Sequence, residues 1–317
     1  MALGEFDLIA RYFSRPGRRD DVLLGVGDDA ALLQVPPGQA LVAATDTLVE
    51  GRHFLPGTPP HAIGHQALAV NLSDLAAMGA DPAWALLSLS LPAAEESWLA
   101  AFAEGLYALA ERCNVALVGG DTVCGPLVVT VEVLGFVEPA RALRRSGARP
   151  GDLVFVSGTP GEAAAGLELL RRDPRTPADD PLVTRYRYAE PRLGLGRALR
   201  GVATAAMDVS DGLLGDLGKL CRASGVGARL DLERLPVSAA LAGSFDRASC
   251  ERLVLTGGDD YELLFTLPPS RAAGDLEALQ AGIAVTCIGE IAAGSEVSCL
   301  RHGATVAIPD GGYDHFR

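Results

Sequence analysis

Aspartate recurs directly after short apolar runs in this sequence: at Gly27-Asp28-Asp29, Thr45-Asp46-Thr47, Gly119-Gly120-Asp121, Met207-Asp208-Val209-Ser210-Asp211 and Gly257-Gly258-Asp259-Asp260. Any one of these reads as an ordinary turn, because Gly-Asp pairs form turns and Asp caps helices. Five in one chain, most beside a glycine or a hydroxyl residue, point instead to carboxylates presented at strand ends, where α/β proteins place their sites. Asn71-Leu72-Ser73-Asp74 adds to them, since residues three apart on a helix share a face and polar groups on an apolar helix cost stability unless something binds them. Gathered carboxylates repel one another, and a divalent cation is the natural compensation. Oxygen ligands select magnesium or calcium over zinc, and magnesium in particular bridges carboxylates to substrate phosphates.

The basic residues say how such phosphates would be met. Lys219 is the only lysine in the chain, so there is no G-x-x-x-x-G-K-[ST] loop, and phosphate charge must fall to arginine, backbone N–H groups or metal. An arginine is the natural side-chain clamp, because a guanidinium grips phosphate bidentately. Ser157-Gly158-Thr159-Pro160-Gly161 fails the G-x-G-x-x-G pattern and reads as a tight strand-to-helix turn, and Arg18-Arg19-Asp20-Asp21 reads as a solvated turn. With 27 Lys and Arg against 40 Asp and Glu, the formal net charge is -13, the wrong sign for gripping nucleic acid or an anionic membrane. The cysteines at 113, 124, 221, 250, 287 and 299 lie far apart with no C-x-x-C, which suits reduced thiols in a cytoplasmic protein. The N-terminal residues lack a signal-peptide pattern, and the apolar run from Leu127 to Val137, which contains Glu132, is far too short to span a membrane.

The elements that must hold these groups alternate along 317 residues, with an apolar share of 49%. Strands are expected over 21–26, 30–35 and 40–44, a helix over 61–78 stopped by Gly79, a second helix over 93–113, and strands at 116–118 and 127–137. The Arg-rich, Gly/Pro-punctuated stretch from Arg141 to Asp152 marks a boundary, giving domains 1–138 and 139–317. Beyond it a strand at 153–156 leads through the Gly-rich turn into a helix ending near Arg171. The polar stretch 173–192 reads as a long loop of the kind that serves as a lid or binding loop. Later apolar runs, including Leu253 to Thr256, lead into the remaining aspartates. The fold class is mixed α/β in two lobes.

The motifs taken together resemble the thiamine-monophosphate kinase family, within the wider group of aminoimidazole-ribonucleotide-synthetase-like ATP enzymes. The resemblance rests on Gly4-Glu5-Phe6, Gly27-Asp28-Asp29-Ala30-Ala31, Thr45-Asp46-Thr47-Leu48-Val49 with His53-Phe54, and Asn71 to Ala80. It continues through Gly119-Gly120-Asp121-Thr122, Asp208-Val209-Ser210-Asp211-Gly212-Leu213, Gly257 to Leu263 and Gly312 to Phe316. It implies a homodimer whose N-terminal lobes, each with a mixed sheet, pair into a shared β-barrel, with a C-terminal α/β lobe behind. It also implies transfer of the ATP γ-phosphoryl group to thiamine monophosphate. Carried over by motif, Asp29, Thr45, Asp46, Asp74, Asp121, Asp208 and Asp211 are the expected ligands of several Mg2+ ions. Tyr107, Gly120, Asp121, Arg145 and Ser210 are the expected ATP contacts, with Asp208, Asp211 and Arg145 at the reacting phosphate. His53, Asp259 and Tyr313 are the expected thiamine pocket. The family usually carries Glu where this chain has Asp259, and often Ser where it has Ala44.

Related enzymes are the alternatives, and the sequence argues against two of them. Selenophosphate synthetases resemble one another in an N-terminal reactive Cys or selenocysteine, whereas the first cysteine here is Cys113; hydrogenase-maturation relatives end in a cysteine tail, whereas this chain ends His315-Phe316-Arg317. No histidine is matched to a Ser or Cys as an activated nucleophile, so direct transfer without a phosphorylated protein is expected.

Overall fold

The computed structural model describes residues 4–15, 19–272, 274 and 282–307. The chain divides into two units, one formed by 1–75 with 80–140 and the other by 76–79 with 141–317.

In the first unit, α1 (Glu5–Leu8) runs directly into a π-helical turn over Ile9–Phe13 that buries Tyr12 and Phe13. A short antiparallel ribbon follows, β1 (Val22–Leu24) with β2 (Leu32–Leu33). Then come β3 (Ala40–Val49), α2 (Pro60–Ala77), β4 (Asp81–Leu91), α3 (Glu96–Arg112), β5 (Ala116–Cys124) and β6 (Val128–Val137). The four long strands form an open mixed sheet in the order β3-β6-β4-β5; β4 and β5 are parallel and the other pairs antiparallel. No closed barrel is present among the described residues, and β3 and β5 are the edges. The parallel pair needs a crossover, which α3 supplies.

No strand is expected from the sequence reading over β4, which is 11 residues long. Its first half, Pro82 to Ala85, is buried on both faces and lacks alternation, while Leu87-Ser88-Leu89-Ser90-Leu91 does alternate and is the signal that could have revealed it. Helix α2 is hidden almost all round, with Ala62, Ile63, Leu68, Leu72 and Leu75 at most 1% exposed. It meets α3 backbone to backbone: a Cβ on Gly64 would lie 2.1 Å from Phe102 O, and one on Gly105 1.9 Å from His61 O. The Arg19 and Asp21 side chains are not simply solvated. They form a bidentate pair (2.9 and 2.5 Å), Asp21 also accepts from Trp84 Nε1 at 3.1 Å, and the Arg19 guanidinium holds the Asp21 carboxyl below its usual range.

The second unit runs β7 (Leu153–Ser157), α4 (Glu162–Arg172), α5 (Pro181–Arg187), α6 (Leu193–Ala198), β8 (Ala205–Val209), α7 (Leu213–Ser224) and β9 (Gly227–Asp231). It continues through α8 (Ala239–Ser244), α9 (Arg247–Thr256), β10 (Glu262–Leu267), β11 (Val285–Ala292), β12 (Val297–Arg301) and β13 (Ala304–Val306). These strands form one sheet in the order β13-β12-β9-β11-β7-β10-β8, antiparallel except for β9 with β12. Alternation of strand and helix thus does not make a parallel sheet here, because strands joined by a helix, such as β8 and β9, are not neighbours. Leu213, Leu217, Leu220 and Cys221 of α7 fall at helical spacing and join the core with Val154, Val156 and Met207 of the sheet.

Two expected elements change. The 173–192 stretch contains α5, started by Pro181 and capped by Asp180, whose carboxylate accepts from the amides of Leu182 (2.9 Å) and Val183 (3.3 Å). Leu253 to Thr256 is the last turn of α9, so Asp259 follows a helix end and not a strand. No helix among the described residues is long and apolar enough to cross a membrane.

Candidate active site

In the first unit a cavity of about 950 Å³ is bordered by Asp28 and Asp29 of the β1–β2 turn, Thr45 of β3, Gly119 to Thr122 of β5, Thr130 and Glu132 of β6, and Phe6 and Phe13 of the N-terminal helical segment. Register explains the convergence. Thr45 lies opposite Glu132, and Asp121 lies opposite Ser88 of β4, which also lines the space. The Thr45 hydroxyl donates to Val131 O at 3.2 Å, which commits its proton and leaves the oxygen lone pairs for an acceptor role. Gly120 is required by geometry: its φ is +151°, and a Cβ there would lie 1.8 Å from Leu87 O. The Gly-Gly-Asp motif therefore sits within β5 and not beyond a strand end, and so does Asp46 within β3.

Of the residues expected here, Asp29, Thr45, Gly120 and Asp121 border this cavity, and Asp46, Asp74, His53 and Tyr107 are not among its lining residues. Asp46 follows Thr45 on one strand and so faces the other side of the sheet. Asp74 is half-buried on α2, and Asn71 is wholly buried with its Nδ2 donating to Ala67 O at 2.9 Å and its Oδ1 without a partner. His53 Nδ1 accepts from the Val49 amide at 3.0 Å, which puts the neutral ring's proton on Nε2. Tyr107 serves the N-terminal segment. Its hydroxyl donates to Phe13 O at 3.0 Å, its ring carries the Arg15 guanidinium at 3.8 Å, and burial pushes its pKa up to about 12. Glu132 and Thr130 were not expected; the one charge inside the apolar run from Leu127 to Val137 is the signal that could have found the first of them.

In the second unit a separate constellation forms where β8 and β10 end side by side, with Asp208 opposite Leu263 and Val209 opposite Glu262. Asp208 is buried. The Ser210–Asp211 turn and the Gly257–Glu262 turn are stitched together: the amides of Asp259 and Tyr261 donate to Ser210 O (2.9 Å) and Val209 O (2.8 Å), and a Cβ on Gly258 would meet Ser210 O at 2.7 Å. Asp259 and Tyr261 both hold left-handed backbone, φ 64° and 51°, which costs each of them about 1–2 kcal/mol. Burial pushes the Asp259 carboxyl up to about 6, opposed by its hydrogen bond from Tyr261 and reinforced by the charge of Asp211.

Neighbouring groups hold this strained turn. Asp260, fully buried, accepts from the amides of Gly161 (2.7 Å) and Ala163 (3.4 Å), and burial drives its carboxyl well above the usual range. These are the amides that a phosphate at the start of α4 would need, so the Ser157-Gly158-Thr159-Pro160-Gly161 turn is structural. Glu262 is also fully buried and accepts from Ser157 Oγ (2.5 Å), Arg185 Nη2 (2.6 Å) and Arg192 Nε (2.7 Å). Burial would raise its pKa, but the two guanidinium groups overcome that and hold it below the usual value. Arg145 is exposed on the segment before β7, its carbonyl accepting from Ser224 Oγ at 3.1 Å. Tyr313 lies outside the described residues.

No three His, Cys, Asp or Glu side chains among the described residues are gathered into a ready-made metal cluster. The side-chain donors that border the cavity in the first unit are hard oxygens, among them the carboxylates of Glu5, Asp28, Asp29, Asp121 and Glu132 and the hydroxyl of Thr45. Such a set fits Mg2+, which takes one or two carboxylates, keeps waters and completes its shell with substrate phosphates.

Residues 27–137 match the AIR synthase related protein N-terminal domain, and residues 149–300 its C-terminal domain. The chain is 50% identical over 323 residues to thiamine-monophosphate kinase of Escherichia coli strain K12, covering 100% of this chain and 99% of that one. The chain belongs to the thiamine-monophosphate kinase family. A crystal structure of thiamine-monophosphate kinase from Stenotrophomonas maltophilia K279a superposes with a TM-score of 0.87 at 47% identity, covering 94% of this chain and 97% of that one. A second kinase structure, described as "AaThiL complexed with AMPPCP and TMP", superposes with a TM-score of 0.78 at 34% identity over 100% of this chain and 99% of that one. Thiamine-monophosphate kinases thus match the chain over the length of both units.

Proposed function

We propose that this protein transfers the γ-phosphoryl group of ATP directly to the phosphate of thiamine monophosphate, yielding thiamine diphosphate and ADP. The observation that carries the reading is half identity over the whole chain to a kinase of that name, together with a cavity around Gly120 and Asp121 that carries carboxylates on a largely apolar lining. Both reactants are anionic, so the work of the protein is positioning and charge neutralisation.

Asp29, Thr45 and Asp121, with Asp46, Asp74, Asp208 and Asp211, are the residues we assign to holding Mg2+. When bound, Mg2+ supplies the positive charge that offsets the nucleotide phosphates. Gly120 lets phosphate approach the β5 backbone, Arg145 clamps phosphate and Ser210 offers a hydroxyl to ATP. Tyr107 acts one step removed, by fixing the Phe13 carbonyl and with it the segment that borders the cavity. His53, Asp259 and Tyr313 are assigned to the thiamine pocket. Residues 1–138 form the nucleotide, metal and dimerisation domain, and 139–317 the second domain. The working unit is a cytoplasmic homodimer in which the open sheets of two first units pair into a barrel. The exposed Leu41 on edge strand β3 supports that reading, because unpaired strand edges call for a partner.

The test is an assay of the purified protein with ATP, Mg2+ and either thiamine monophosphate or thiamine, with the product identified. Thiamine diphosphate from the monophosphate, and no product from thiamine, is the expected result; absence of thiamine diphosphate overturns the assignment. Inversion at a chiral γ-phosphorus checks that transfer is direct.

A further inference from the structure

Lys219 is the single lysine in a chain whose other basic side chains of fixed charge are all arginine. It lies on α7, and its ammonium donates to two carboxylates, Asp211 Oδ2 and, at 2.7 Å, Asp216 Oδ1. The Asp216 side chain is fully buried, and its second oxygen accepts the backbone amides of Ser210 and Asp211, each at 3.0 Å. One ammonium therefore compensates both the carboxylate that shapes the Ser210–Asp211 turn and the carboxylate carried on that turn. Asp259, whose amide is tied to Ser210 O, adds a third acidic group that feels the charge of Asp211. Without a cation these groups repel across a partly buried space.

We propose that Lys219 is a positioning residue that stands in for a metal cation, holding the Ser210–Asp211 turn in its working shape while the protein is metal-free and yielding its share of Asp211 when a divalent cation binds. The proposal rests on the assignment of Asp211 to metal binding. An ammonium suits this task better than a guanidinium. It is compact, carries three donors on a flexible stem and can sit between two carboxylates, whereas the planar fork of arginine matches one carboxylate at a time. Lysine stands at this one position in a sequence that uses arginine everywhere else, which is consistent with that demand.

Linkage fixes the sign of the consequence: if two cations share one carboxylate, removing the resident one destabilises the metal-free state and tightens the binding of the other. The test measures thermal unfolding of the full chain in chelator and across a Mg2+ titration without nucleotide, for the wild type, Lys219→Met, Lys219→Arg and Lys219→Met in an Asp211→Asn background. Lys219→Met should melt earlier in chelator, recover more on adding Mg2+ than the wild type does, and reach half of its shift at about fivefold lower Mg2+. Lys219→Arg keeps the charge but engages one carboxylate at a time, so it should fall between the wild type and Lys219→Met, and Asp211→Asn should abolish the enhanced recovery. If Lys219→Met proves too unstable to purify, the double variant Asp216→Asn/Lys219→Met removes the buried charge with its partner, keeps an acceptor for the two amides and should show the same enhanced Mg2+ response.

An equal loss of stability with and without Mg2+ would make Lys219 an ordinary structural ion pair and overturn the proposal, as would an Mg2+ response unchanged by Asp211→Asn or absent from every variant. The thiamine monophosphate assay on the wild type is independent of these outcomes. A wild type that makes no thiamine diphosphate sinks the functional reading, whereas an active wild type with an unremarkable Lys219→Met sinks only this one.

Discussion

The two aspartate-rich regions are built in opposite ways. In the first unit Asp28, Asp29, Asp121 and Glu132 stand exposed around a cavity. In the second, Asp216, Asp260 and Glu262 are fully buried and answered by Lys219, by the amides of Gly161 and Ala163, and by Arg185 and Arg192. Exposed carboxylates keep most of their hydration and can exchange it for a cation from solution. Buried ones must be compensated within the fold. The same residue type thus does binding work in one region and scaffolding work in the other, and substitutions should separate the two.

The largest expected effect is on the scaffold. Glu262→Ala leaves two guanidinium groups facing each other without their carboxylate and should lower the unfolding free energy by about 3–5 kcal/mol, read by denaturant titration. Next is the cavity: Asp29→Asn or Asp121→Asn should each cut turnover by about a hundredfold, the scale of losing one strong electrostatic group, while stability stays within about 0.5 kcal/mol of wild type. Melting curves and turnover measured on the same preparations decide the matter. If the cavity variants unfold as readily as Glu262→Ala, the contrast between the regions collapses.

The smallest effect sharpens the contrast within the second unit, because Asp259 is shielded without being neutralised. Its folded pKa, about 6, lies above the model-peptide value of 3.8. Its protonated form therefore contributes stability that is fully present below pH 3.8 and lost as pH rises through 6, so at neutral pH the ionised carboxylate is a cost. Asp259→Asn should raise the melting temperature at pH 7.5, with the gain fading as pH falls from 6 towards 4, and should weaken thiamine monophosphate binding. A gain independent of pH would show that charge is not its source.

Much of this was legible in the residues, and the failures share a cause. The span of β6 and the helix of α2 with its stop at Gly79 follow from local periodicity and turn chemistry. The aspartate motifs were found because their residue types are out of place after apolar runs. Asp121 and Asp46 lie inside strands because pairing with β4 and β6 carries those strands past residues that read as turn formers, and the first half of β4 is hidden because burial on both faces removes the alternation that marks a strand. Sequence could not show that Leu253 to Thr256 ends a helix, since a short apolar run fits either state. Strand order in the second sheet depends on pairings between segments distant in the chain, such as β8 with β10, and the pairing of Arg185 and Arg192 with Glu262 joins residues 77 and 70 apart. Asp216 and Lys219 are three apart on one helix, a spacing that sequence does display; the burial that makes their pairing matter is a property of the fold.

The 173–192 stretch has the length of a moving lid, yet Arg185 and Arg192 anchor it to β10 through Glu262, and Arg185 adds a bond to Asp260 O at 2.5 Å. Lifting it would drag two charged forks off one carboxylate inside the protein, at a cost of about 3 kcal/mol or more. An equilibrium that uphill leaves fewer than about 1% of molecules open at any moment. At equilibrium this stretch is fastened to the sheet, part of the scaffold of the second unit rather than a hinged cover held open.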